Sequence, residues 1–361
     1  FISKYQVLYK IGFGTTATIW MCWDLHRNEY VCMKSIVSGY ASVQREITAY
    51  EILSKAAKTG TSIGKEYVWL ALDHFELRLG EHFLIHEPLG LHLQWFIEKG
   101  GGSLPIVYVR MLAIQMLHGL EFIHGAQVIH AVDIQPLNIL LRIDDETVLK
   151  DAEEAEIKSP SARKITEESV IFACKDLPGP PRRWIGKKSD LVLCDFGEAR
   201  TGKDSYTDHI IQPPVYRAPE VFLHLPWGTP VDIWNLGCMI WDIMLGRQLF
   251  SQHGAPDEET ADKNQLARMV ALLGPPPGAL LADSGPRALN FFNEDGSANR
   301  ASNSEHPLWP EFDAQTMTVE ESEVFLAFIR RTLMWTQEKR PSASKLLKDP
   351  WFKCGTRPVN T

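Results

Sequence analysis

Apolar and polar residues alternate over Tyr5 to Ile11, Thr18 to Trp23 and Tyr30 to Ile36, with Gly12, Gly14 and the pair Arg27-Asn28 between the runs. A period of two punctuated by turn formers predicts three strands in a meander. From Gln44 to Ala56 the rhythm changes: Ile47, Tyr50 and Leu53 stand three apart, close to a helical repeat. Two more strand-like runs follow, near Val68 to Phe75 and His82 to Glu87. After Gly90 the pattern turns helical. Val107 to His124 brings Met111, Ile114, Leu117, Leu120 and Phe122 near one face, and Val231 to Leu245 and Glu321 to Met334 behave alike. The expectation is an α+β chain, a small β-rich part followed by a larger helical part. Two segments lack any period. Asp144 to Asp190 is charged and proline-rich, with Pro178-Gly179-Pro180-Pro181, and reads as a surface insertion. Gly274 to Asn303, rich in Gly, Pro, Ala and Ser, reads as a loop region.

Composition narrows the function classes. A chain of 361 residues, 45% hydrophobic and 23% charged, is long enough for two packed cores and too apolar for wholesale disorder. The net charge of -8 argues against direct nucleic-acid binding, which calls for a basic surface, and is compatible with a basic partner. The six cysteines include no Cys-x-x-Cys pair, so they read as reduced thiols of an intracellular protein, in cytoplasm or nucleus, rather than a zinc site. Arg182-Arg183 and Lys187-Lys188 read either as a nuclear-import signal or as a solvated loop. No apolar stretch is expected to span a bilayer and no signal peptide is expected, while Phe1 at the start implies a trimmed N-terminus.

The candidate chemistry begins at Gly12-Phe13-Gly14-Thr15-Thr16-Ala17-Thr18-Ile19, where glycines allow a tight turn to approach phosphate oxygens without side-chain obstruction. In the next strand Lys34, within Val31-Cys32-Met33-Lys34, supplies a compact cation for the phosphates. Glu46 on the following helix is spaced to hold that long side chain by its opposite charge. Further on, Asp133 and Asn138 lie five apart in His130-Ala131-Val132-Asp133-Ile134-Gln135-Pro136-Leu137-Asn138, pairing a proton acceptor with a neutral oxygen ligand. Asp195-Phe196-Gly197 places a second carboxylate after the strand-like Leu191 to Cys194. Hard oxygens of this kind suit Mg²⁺ shared with substrate phosphates.

In this order, these elements resemble the protein kinases. The likeness continues through Ala218-Pro219-Glu220, Asp232-Ile233-Trp234 and Arg340 in Glu338-Lys339-Arg340-Pro341, and covers Tyr5 to Phe352. It implies a bilobal protein kinase fold with an N-lobe over 1–87, a C-lobe over 88–354 and the insertion at about 144–190. The resemblance further implies that ATP is bound by Ile11, Gly12, Phe13, Gly14, Thr15, Thr16, Ala17, Ile19, Cys32, Glu87, Leu89 and Leu140. Lys34 would clamp its phosphates, braced by Glu46, while Asn138 and Asp195 would hold Mg²⁺ and Asp133 would take the hydroxyl proton. Glu220 and Arg340 would form a buried pair bracing the activation segment, and Asp232 would hold the catalytic loop through its backbone.

Within that family, Trp20-Met21-Cys22-Trp23-Asp24, the hinge-like Glu87-Pro88-Leu89-Gly90 with Leu93 and Trp95, and Asp133-Ile134 are similar to the SR-protein kinases. Gln265-Leu266-Ala267 and Leu272-Leu273-Gly274 resemble their extra C-lobe helix. The implied partners are ATP and a protein substrate, basic or Arg-Ser-rich, acted on by a monomer without nucleic acid or membrane. Six departures stand out. Ala17 replaces the third loop glycine, and His130 precedes Asp133 by three residues where the pattern has two. Val132 replaces the arginine that captures activation-loop phosphate, so activity is expected without phosphate at Ser205, Tyr206 or Thr207. Gln135 replaces a lysine near the γ-phosphate, which lowers the expected turnover. Acidic docking positions are Asn264 and Ala271 here, with Lys263 and Arg268 beside them. His86 stands where the subfamily carries phenylalanine and is expected to be a core histidine satisfied by hydrogen bonds. The alternative reading of the same departures is a pseudokinase, a nucleotide-responsive scaffold or binding module.

Overall fold

The computed structural model describes residues 4–37, 39–77, 80–131, 134–167, 169–175, 190–202, 205–207, 211–250, 255–293, 295–298 and 317–354. Val132, Asp133, the Pro178 to Pro181 run and the basic pairs Arg182-Arg183 and Lys187-Lys188 lie outside them. The chain opens with β1 (Tyr5–Phe13), β2 (Ala17–Asp24), β3 (Glu29–Ile36), α1 (Ala41–Thr59), β4 (Asp73–Glu76), β5 (His82–His86) and β6 (Leu89–His92). Next come α2 (Leu93–Lys99), α3 (Ile106–Gly125), β7 (Val128–Ile129), β8 (Ile139–Arg142), α4 (Thr147–Lys158), β9 (Arg163–Ile165) and β10 (Val170–Phe172). The remainder is β11 (Leu191–Leu193), β12 (Arg200–Thr201), α5 (Pro219–Phe222), α6 (Pro230–Leu245), α7 (Glu258–Leu273), α8 (Gly278–Ser284), α9 (Val319–Thr332) and α10 (Ala343–Leu346). The meander and the long helices therefore fall where periodicity predicts them. The fourth strand is shorter than expected: Val68 makes only an isolated bridge to Leu193, and pairing with β5 begins at Asp73.

The chain packs as two compact units. The first takes in residues up to Leu93 together with Leu137–Thr201. It holds an antiparallel sheet in the order β1-β2-β3-β5-β4 and a three-stranded sheet in the order β11-β8-β6. Lys34 sits mid-strand, opposite Ile19 on β2 and Leu84 on β5. Helix α1 buries Val43, Ile47, Ala49, Tyr50 and Leu53, an apolar stripe at helical spacing, and Glu46 lies buried within that stripe. The grouping differs from the continuous 1–87 expected for this part. Segment 137–201 joins it because β8 pairs with both β6 and β11, and because α4 covers β1.

That covering segment is the predicted surface insertion, and the structure corrects the reading. Val148, Leu149 and Ala152 of α4 are buried, with Leu149 and Ala152 packed against Tyr9, Met21 and Tyr30. The Tyr30 hydroxyl donates to Glu153 at 2.5 Å, and β9 and β10 form a hairpin whose Phe172 meets Trp20 edge to face. Only one narrow apolar face breaks the charged surface of α4, which is too little to register as a period.

The second unit contains Gln94–Pro136 and the residues from Gly202 onward. By length and composition α3 is apolar enough to cross a membrane, contrary to the sequence expectation. Its Val109, Leu112, Ala113, Met116, Leu117 and Leu120 are instead fully buried in this unit, as befits a core helix. The α6 backbone approaches α9 closely: a Cβ on Gly237 would lie 2.2 Å from the Thr332 hydroxyl, so no larger residue fits without moving a helix. The region expected as a loop from Gly274 contains α8 and a short 3-10 turn over Gly285–Asn290, with Leu280, Ala288, Phe291 and Phe292 buried.

Candidate active site

Lys34 is the centre of the first unit's chemistry. Its ammonium donates to the Glu46 carboxylate at 2.5 Å and lies 3.5 Å from Asp195 Oδ1. Burial alone would lower the Lys34 pKa, but Glu46 and then Asp195 overcome it and hold the ammonium above its ordinary value. Asp195 stands just past β11 in a left-handed conformation, φ 62°, and its side chain is half exposed. Its carboxylate accepts from the Gly197 N–H at 3.2 Å, while Phe196 is buried edge-on to Tyr50 of α1. A turn at this point thus sends the carboxylate outward and the ring inward. Asn138 meets the same place through its backbone: its carbonyl accepts the Cys194 N–H at 2.8 Å.

The apolar positions expected to bind ATP converge. Cys32, Leu89, Trp69, Val192 and Cys194 form one buried cluster, with Ile11, Ile19 and Leu140 packed against it. Trp69, Val192 and Cys194 escaped the sequence reading, although Cys194 adjoins Asp195. Glu87 adjoins this wall; its carbonyl accepts from Trp69 Nε1 at 2.9 Å and its carboxylate from Arg142 at 2.5 Å. In the glycine turn the Gly14 N–H donates to the Ala17 carbonyl at 2.8 Å, and the Thr16 carbonyl accepts from Val37. Neither Gly12 nor Gly14 has positive φ, and a Cβ on Gly14 would meet nothing within 4 Å. Glycine here leaves the turn open rather than relieving strain. Phe13 and Thr15 are exposed beside it, Phe13 under the Lys10 ammonium at 4.7 Å.

The second unit fixes the loop that carries the remaining candidates. Asp232 on α6 accepts from the His130 N–H at 3.0 Å, the Ala131 N–H at 2.9 Å and His124 Nε2 at 2.8 Å. Ala131 is left-handed, φ 66°. One helical turn on, Asn235 donates to the Ile134 carbonyl at 2.7 Å. Both flanks of Val132–Asp133 are therefore tied to one face of α6, although only Asp232 was foreseen. Gln135, half-buried, follows Ile134. The pair expected between Glu220 and Arg340 is present, bidentate at 2.5 and 2.6 Å, and Arg340 also lies over Trp234. Gln212, at φ 64°, was missed: its amide bonds the Val231 carbonyl and the Ala218 N–H, holding the start of α5.

The protein kinase domain family matches residues 5–167 and 184–352. The chain belongs to the protein kinases. A serine/threonine protein kinase of Aspergillus fumigatus is 34% identical over 360 residues, covering 98% of this kinase chain and 85% of its own. The serine/threonine-protein kinase SRPK of Physarum polycephalum is 28% identical, with 97% and 86% covered. SRSF protein kinase 3 of Mus musculus is 24% identical, with 98% and 87% covered. A kinase domain uses ATP with a divalent metal and acts on protein. In the present kinase, Asp195 offers a hard oxygen beside Lys34, Asn138 is joined to the neighbouring Cys194 through its carbonyl, and among the described residues no group of three or more His, Cys, Asp or Glu gathers as an all-protein metal cage. That sparse donor set fits a metal held jointly with phosphate oxygens.

Proposed function

We propose that this kinase transfers the γ-phosphoryl group of ATP to serine and threonine hydroxyls of other proteins. The observation that carries the reading is Lys34 bonded to Glu46 while within 3.5 Å of Asp195, an arrangement already assembled for phosphate. In this reading the apolar cluster around Cys32 and Leu140 receives the adenine, and Ile11, Ile19 and Leu89 close on it. Lys34 neutralises the α/β-phosphates. Asn138 and Asp195 would hold Mg²⁺, which would supply neutralising charge to the phosphates when bound. Asp133 orients the attacking hydroxyl and takes its proton, and Gln135 contributes a neutral donor where a cation would give more. Positioning and electrostatic stabilisation account for the acceleration. The formed Lys34–Glu46 pair favours catalysis over a scaffold role.

For substrate we infer a basic, Arg-Ser-rich segment, supported by relatives named SRPK and SRSF protein kinase 3. Helix α7 offers Glu258, Glu259 and Asp262, but Glu259 holds Lys263 at 2.6 Å and Asp262 faces Arg217 at 3.6 Å. Recognition of arginines would therefore compete with internal pairs. We place the protein inside the cell as a monomer; its cysteines, all free thiols, agree with a reducing compartment. The test is transfer of radiolabelled phosphate from ATP to basic peptides with and without Arg-Ser repeats. Asp195→Asn is expected to cut transfer by about 10³-fold or more with the fold retained; undiminished transfer refutes the assignment.

A further inference from the structure

A second ion-pair system lies one residue from Glu46. Arg45 donates to the Glu198 carboxylate at 2.5 Å, and Arg200 lies 3.5 Å from the same oxygen while bonding the Glu198 carbonyl. Arg45 and Glu46 are consecutive on α1, and Asp195 and Glu198 are three apart on the segment after β11. The contacts close a ring: Asp195 to Lys34, Lys34 to Glu46, along α1 to Arg45, then Glu198 and back to Asp195. Helix α1 cannot swing away without breaking two charged contacts at one turn. Its first turn gains nothing from capping, since Tyr40 provides no side-chain cap and that turn carries no acidic residue.

We propose that Glu198 and Arg45 are positioning residues forming a permanent latch, a chain-borne carboxylate doing for α1 what an added phosphate does in phosphate-switched enzymes. Phosphate orders such segments by pairing with arginines. Here Arg45 and Arg200 already share an acid that needs no modifying enzyme. The inference rests on the kinase reading for its catalytic consequence, but the latch itself is a property of α1.

Two measurements on the full chain separate them. Hydrogen exchange reports α1 without reference to turnover: Glu198→Gln and Arg45→Met should each speed exchange across residues 41–59, with melting curves confirming folded protein. Kinetics report the consequence: each variant should raise KM for ATP more than it lowers kcat, reducing kcat/KM about tenfold, the effect of one lost charge-assisted hydrogen bond. The double variant should be no worse than either single one, because both remove the same contact. Phosphatase-treated wild type should keep its full rate. Unchanged exchange in Glu198→Gln, additive losses in the double variant, or dependence of wild type on phosphate each overturns the latch. Faster exchange in the variants of a chain that transfers no phosphate would sustain the latch and refute the kinase assignment.

Discussion

His86 shows how far a single residue could be read. A satisfied core histidine was expected, and half of that holds: Nδ1 meets the Leu70 carbonyl at 3.0 Å, while Nε2 is buried with no hydrogen-bond partner among the described residues. The ring stacks on Trp69 at 3.8 Å and meets Tyr50 edge-on, and burial pushes its pKa down to about 3 from 6.5. The folded state thus refuses a proton that the unfolded chain accepts. Stability contributed by the neutral ring is complete above pH 6.5 and is lost as pH falls from there toward 3, by about 1.4 kcal/mol per unit. Urea unfolding of His86→Phe beside wild type, from pH 7 to 4.5, should show a shallower acid decline in the variant; parallel curves would contradict the assignment. Lys34, Glu46 and Asp195 were legible because order and spacing alone distinguish them. The unpartnered nitrogen was not, because it depends on what packs around the ring.

Among elements, α4 is the instructive failure. Its charged sequence reads as exposed loop, yet Leu149 is seated against Tyr9, Met21 and Tyr30 on the sheet that carries the glycine turn. Leu149→Ala is expected to cost about 2–4 kcal/mol in chemical denaturation, the price of a buried cavity. Ile157→Ala, on the exposed side of the same helix, should stay within about 0.5 kcal/mol. Equal losses would mean that α4 does not dock. By contrast β1, β2, β3 and α1 were legible, since a half-buried strand and a one-faced helix imprint their periods directly on the sequence.

Across the whole molecule, contacts between distant residues decide stability. Glu220 and Arg340 stand 120 apart in sequence and are both almost wholly buried. Arg340→Met leaves Glu220 buried without its counter-charge and should destabilise the chain by about 3–5 kcal/mol in denaturant unfolding. Adding Glu220→Leu should restore much of that loss; a single variant as stable as wild type would show the pair to be dispensable. The sequence by itself determined the kinds of chemistry present, their order, and the local elements that carry them, because propensity and periodicity act over a few residues. Only tertiary structure decided the contacts that no motif marks. Arg45 with Glu198, Asn235 with the Ile134 carbonyl, and the seating of α4 on β1 all depend on desolvation and packing, which no short stretch of chain encodes alone.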